Sequence, residues 1–339
     1  MRSKYSDKPE GKNVQYYLAR TLYKSGKYDQ ALKLFYEFWK EGNQDLKDTL
    51  NVSKYREIST MMLDCPDPAQ RVNAADISQK ATTELLNMLN GKSKSEKSKF
   101  DINDWVVPQT AERFRQNKEE FQKYVENMRS MLNRNKAKAN MVIANYFLAQ
   151  KDQNTAKSYL QAALSAYLEL IPDNMRHKSD NPDYYENLFN RAEIRRVMKN
   201  YDAASKDLIA ASRRANSGSS KGPSVVGYYY KAQNELGKLY LEQGDTKKAH
   251  GAFMIVAALN FKKPDPVDIP TVDQDASPRL KLEADAAKAG ITALEETVYL
   301  SAKTASDLGD TATAQRMAKK YLENFPNGKF TGEAKRLAQ

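Results

Sequence analysis

The chain has 339 residues, 40% of them hydrophobic, 10% aromatic and 29% charged, with a formal net charge of +11. The aromatic content excludes wholesale disorder, and the scarcity of Gly (14) and Pro (12) disfavours a sandwich or barrel full of tight turns. No run of about 18 apolar residues occurs, so no transmembrane helix or membrane insertion is expected, and the one cysteine, Cys65, excludes an internal disulfide.

The N-terminal stretch from Met1 to Gly11 lacks the apolar core of a signal peptide. The expected compartment is therefore the cytoplasm, with the periplasm as the alternative for a chain whose signal has been processed. A first helix pair is predicted over 1–44, with Leu18, Ala19 and Leu22 in one helix and Ala31, Phe35 and Phe38 in the next, separated by Gly26. Residues 45–136 read as helical without fitting that pair's spacing, as either divergent repeats or a helical insert. Within them Asp67-Pro68 predicts an N-cap and first-turn proline for a helix through Ile77, Leu85 and Leu89. Pro108 opens another, with Phe114, Phe121, Val125, Met128 and Leu132 on one face. Between them the polar run 91–99 reads as a loop.

From residue 137 to 260 the helix-pair pattern returns, with copies starting at Ala137, Tyr185 and Tyr230. Residues 217–224, rich in Ser and Gly, read as a connector. The Pro- and Asp-rich stretch 261–280 cannot persist as helix. A last, weaker copy starts at Glu295 within 281–339.

Counting each copy from its start (Lys12, Ala137, Tyr185, Tyr230 and Glu295), position 8 is Ala19, Ala144, Ala192, Gly237 or Ala302, and position 20 is Ala31, Ala156, Ala204, Ala249 or Ala314. Small residues at these two places let antiparallel helices approach closely. Position 15 is Gly26, Gly244 or Gly309, or a polar residue that ends the first helix. Position 11 is apolar except in copy three, where it is Arg195. These residues resemble the tetratricopeptide repeat, a 34-residue helix–turn–helix unit. The resemblance implies an all-α fold, a right-handed solenoid of antiparallel helix pairs, here with irregular spacing and inserted helices.

Catalytic and metal patterns are missing. His177 and His250 belong to different repeats, Cys65 has no histidine near it in sequence, and no glycine-rich phosphate loop or nucleophile elbow occurs. No enzyme activity and no cofactor are therefore expected.

The resemblance implies that positions 2, 5, 9 and 12 of each first helix line a concave groove. That nominates Tyr16, Arg20 and Tyr23 from copy one, Asn145 from copy two, Phe189 and Arg196 from copy three, Asn234 and Lys238 from copy four, and Lys303 from copy five. Asn amides suit an extended peptide backbone, and Arg and Lys suit carboxylates, so the expected partner is an acidic protein or peptide. Tyr16 and Arg20 stand where chaperone-binding members of the family place Lys and Asn, which argues against a chaperone clamp. The function this predicts is a non-enzymatic scaffold or adaptor, in the style of bacterial assemblies. The rival prediction is a nucleic-acid-binding regulator that uses a basic patch of Arg191, Arg195, Arg213 and Arg214.

Overall fold

The computed structural model describes residues 9–41, 52–90, 102–172, 182–217, 223–258 and 278–339. The polar run 91–99, most of the 217–224 connector, the 261–277 stretch and His177 lie outside these. Every described element is a helix, and the chain divides into two compact units, Met1–Asp173 and Asn174–Gln339.

In the first unit, α1 (Pro9–Lys24) pairs with α2 (Tyr28–Glu41), and α3 (Val52–Leu63) with α4 (Arg71–Leu89). A single turn, α5 (Ile102–Trp105), and α6 (Pro108–Gln116) precede α7 (Lys118–Ala149), which packs on α4 and pairs with α8 (Gln153–Leu170). Among the described residues, 45–136 thus hold the α3–α4 helix pair, the short helices α5 and α6, and the first part of α7. Tyr16, Phe35, Ile58, Met62, Ile77, Leu85 and Leu132 are buried in this unit's core, together with the thiol-bearing Cys65.

In the second unit, α9 (Pro182–Val197) pairs with α10 (Tyr201–Ser217), α11 (Pro223–Glu242) with α12 (Thr246–Ala257), and α13 (Pro278–Asp307) with α14 (Thr311–Asn324). The last helix, α15 (Thr331–Leu337), covers α14. Helices α11 and α13 meet backbone to backbone. A Cβ at Gly290 would collide with the Cα of Gly227, and a Cβ at Gly227 would strike the Ala286 carbonyl. At position 8 of copy four, a Cβ on Gly237 would run into the ring of Phe253, which explains the small residue there.

Position 15 decides the hairpins. Gly26, Lys151, Lys199, Gly244 and Gly309 occupy it in the five copies, and all have positive φ, between 59° and 80°. In each copy the N–H of position 15 donates to the carbonyl of position 12, and that of position 16 donates to position 11, as in Lys151 to Leu148 and Asp152 to Phe147. This left-handed turn satisfies the last carbonyls of the first helix. The next residue caps the second helix. Asp152, Asn200, Asp245 and Asp310 each accept the backbone N–H three residues on.

Three local expectations are corrected. Asp67 accepts from the Ala69 N–H within a turn, and the helix begins later, at Arg71. The helix from Pro108 does not run to Leu132, because Asn117 is extended and its side chain accepts from the Glu120 N–H, starting a new helix. The borders drawn at 136/137 and 280/281 fall inside α7 and α13, each of which begins 17–19 residues before its repeat copy does.

Candidate partner-binding site

In the first unit the nominated side chains are largely spent on the fold. Tyr16 is 2% exposed, and its hydroxyl donates to Glu57 Oε2 at 2.6 Å. Arg20 Nε donates to the other oxygen of Glu57 at 2.5 Å. Tyr23 is buried and donates to the Met61 carbonyl at 2.9 Å. These bonds tie α1 to α3. Burial by itself raises the Glu57 carboxyl's pKa, but donation from Tyr16 and Arg20 outweighs it and holds the group below its ordinary range. Tyr16 and Tyr23 are thus packing residues. Asn145 of α7 is exposed.

In the second unit Asn234 is 1% exposed and donates to Thr297 Oγ1 at 3.0 Å, so it joins α11 to α13 beneath the surface. Lys303 is exposed and pairs within its own helix with Asp307 at 2.9 Å. Phe189, Arg196 and Lys238 come together with residues that the groove assignment left uncommitted. A cleft of about 170 Å³ opens between α9 and α11. Its apolar walls are Phe189, Ala192, Leu208 and Leu239, and its rim carries Asn190, Glu193, Arg196, Lys231 and Glu235. The Lys231 ammonium lies 4.4 Å from the centre of the Phe189 ring, a cation–π contact.

The rim is a lattice of ion pairs between successive first helices. Arg196 bridges Glu193 at 2.6 Å and Glu242 of α11 at 2.6 Å. Lys231 faces Glu186 of α9 at 3.6 Å. Lys238 reaches Glu296 of α13 at 2.6 Å and Glu235 at 3.3 Å. Hydrogen bonding to Glu193 raises the Arg196 pKa further. For Lys238, burial lowers the pKa, but the bond to Glu296 and the charges of Glu235 and Glu296 win and raise it. Three cations thus stand among five carboxylates, so this lattice is not the basic groove expected from the nominated residues. The opposite signs at position 2 of copies three and four, Glu186 and Lys231, were the sequence signal for this pairing.

The basic patch is also corrected. Arg191 and Arg195 are 4% and 5% exposed and converge on Asp207, itself 2% exposed. Arg191 Nη2 lies 2.5 Å from Asp207 Oδ1, and Arg195 Nη1 lies 2.8 Å from Oδ2. Arg195 at position 11 is therefore answered by an acid at position 23 of the same copy. Arg213 is exposed, and the Arg214 side chain lies outside the described residues. Two of the four members of the patch are thus internal.

Among the described residues no group of three or more His, Cys, Asp or Glu is arranged to hold a metal ion, and no helix is long and apolar enough to cross a membrane. Residues 13–41, spanning α1 and α2, match the family described as tetratricopeptide repeat. No curated protein matches the chain.

Proposed function

We propose that this chain, whose residues 13–41 match the tetratricopeptide repeat, is a protein-interaction scaffold that anchors a partner segment in the cleft between α9 and α11. The family is a protein-binding repeat and typically non-catalytic, which supports the scaffold reading in its general form. The observation that carries the specific reading is the cleft itself, an apolar hollow with a charged rim. A cavity of about 150 Å³ lined by apolar side chains accommodates benzene, so this one suits a single aromatic or branched aliphatic side chain. The excess of carboxylates around it favours an anchor flanked by Lys or Arg rather than an acidic segment. Guest cations would compete with Arg196 and Lys238 for Glu242 and Glu296, exchanging one set of ion pairs for another at little cost.

Panning the full chain with displayed random 16-residue peptides tests this. Enriched peptides should carry one large apolar residue beside Lys or Arg. They should bind at least tenfold more weakly to Asn190→Trp, in which a partly exposed rim residue fills the cleft. Equal binding to that variant, or enrichment of acidic peptides, overturns the reading.

A further inference from the structure

Of the three cations on the rim of the α9–α11 cleft, Lys231 is the one whose charge rests against a ring rather than in a close ion pair. Its ammonium lies 4.4 Å from the centre of the Phe189 ring, and both side chains line the cleft. Glu186, outside the lining, faces the same ammonium at 3.6 Å. That separation is too long for a hydrogen bond, and both side chains of the pair are about 30% exposed, so Glu186 holds Lys231 weakly. Arg196 and Lys238, by contrast, each meet a carboxylate of a neighbouring helix at 2.6 Å.

The ring that carries Lys231 belongs to a stacked series. Tyr185 and Tyr228 stack at 4.6 Å with an interplanar angle of 11°, and Phe189 follows Tyr228 at 6.1 Å and 28°. Tyr185 and Tyr228 are buried, and Phe189 is the member that lines the cleft. A side chain entering there meets an aromatic ring and an ammonium together. The three N–H bonds of an ammonium point apart, so one Lys231 serves the Phe189 ring, Glu186 and a guest ring at once. The negative face of a guest ring attracts that charge, whereas a branched or saturated side chain offers it only dispersion.

We infer that Lys231 is a specificity-determining residue of this cleft and selects an aromatic anchor over an aliphatic one. The assignment rests on the reading of the cleft as an anchor site and narrows its guest from any large apolar side chain to a ring with a π face. Burial alone gives no such preference, because a cyclohexyl ring fills about the same space as a phenyl ring and is at least as apolar. Contact between a guest ring and Phe189 is the other physical source of an aromatic preference, and it does not need the charge. Neutralising Lys231 therefore separates the two.

The test uses the full chain and two peptides, acetyl-Gly-Lys-Phe-Arg-Gly-amide and its analogue with cyclohexylalanine in place of phenylalanine. Titration followed by nuclear magnetic resonance of the isotope-labelled chain should show the phenylalanine peptide binding at least about threefold more tightly. Lys231→Met, which keeps the length of the side chain and removes its charge, should bring the two affinities together by weakening the phenylalanine peptide alone. Lys231→Arg should keep the preference. Continued binding of the cyclohexylalanine peptide by Lys231→Met shows that its cleft is intact. Equal affinity of the unaltered chain for the two peptides overturns the inference and leaves the cleft reading standing. A preference undiminished in Lys231→Met also overturns it and assigns the selection to Phe189. Binding of neither peptide up to about 10 mM overturns the cleft reading and this inference with it.

Discussion

Replacing Asp207 with Asn removes a charge and almost no volume, yet it takes from two interior guanidinium groups the carboxylate that both of them bond. Asp207, Arg191 and Arg195 are each at most 5% exposed, and the carboxylate accepts from Arg191 Nε at 3.0 Å as well as from the terminal nitrogens of both arginines. Breaking a buried pair by removing one partner costs about 3–5 kcal/mol. At a urea m-value of about 2 kcal/mol/M, that lowers the denaturation midpoint of the second unit by about 1.5–2.5 M. The companion variant Arg191→Met, Arg195→Met, Asp207→Leu removes all three charges together. Position 11 is apolar in the other copies, as in Leu22, Phe147 and Tyr240, and position 7 is a buried Ile143 or Leu236 in two of them. The packed environment therefore accepts apolar side chains there. Exchanging a buried ionic cluster for apolar residues is commonly neutral or stabilising by about 1–4 kcal/mol. Urea unfolding of the full chain, followed by circular dichroism at 222 nm, separates the two. The reasoning is refuted if Asp207→Asn moves the midpoint by less than about 0.5 M, or if the triple variant is as unstable as the single one.

Lys151 and Lys199 hold the left-handed position that glycine occupies in the other three copies. The conformation strains an L-residue by about 1–2 kcal/mol, while glycine adds about 0.4–1 kcal/mol of unfolded-state entropy, so Lys151→Gly and Lys199→Gly should each stabilise by about 0.5–1 kcal/mol in thermal unfolding; a fall in the transition temperature contradicts the strain. Glu57 titrates below its usual range in the fold, so its contribution is present above the unfolded carboxyl pKa of about 4.3 and is lost as pH falls through the depressed folded value. The stability gap between the unaltered chain and Glu57→Gln should accordingly be full at pH 7 and shrink below about pH 4; a gap constant with pH would show that the carboxylate's charge plays no part.

The repeat register was legible in the sequence because its determinants are local. A residue that must turn left-handed, an Asp or Asn that caps the next helix, and an alanine or glycine at each close approach act over a few neighbours. All five turns fall at position 15, and the alanines at position 20 are at most 3% exposed. Arg195 stood out as a departure from the pattern, and its compensation lay one helix away at Asp207.

Which of the polar residues face solvent was decided by tertiary structure alone. Nothing near Asn234 in sequence reveals that its amide is claimed by Thr297, 63 residues on, nor does anything near Tyr16 reveal Glu57, 41 residues away. Helix period gives the direction in which a side chain leaves its own helix, but its burial depends on how closely the next helix approaches. At Gly227 and Gly290 that approach is backbone to backbone, and it draws the α11 and α13 side chains between them into the interior. The sign of the groove was likewise a property of packing, since Arg196 and Lys238 acquire their carboxylate partners from neighbouring helices.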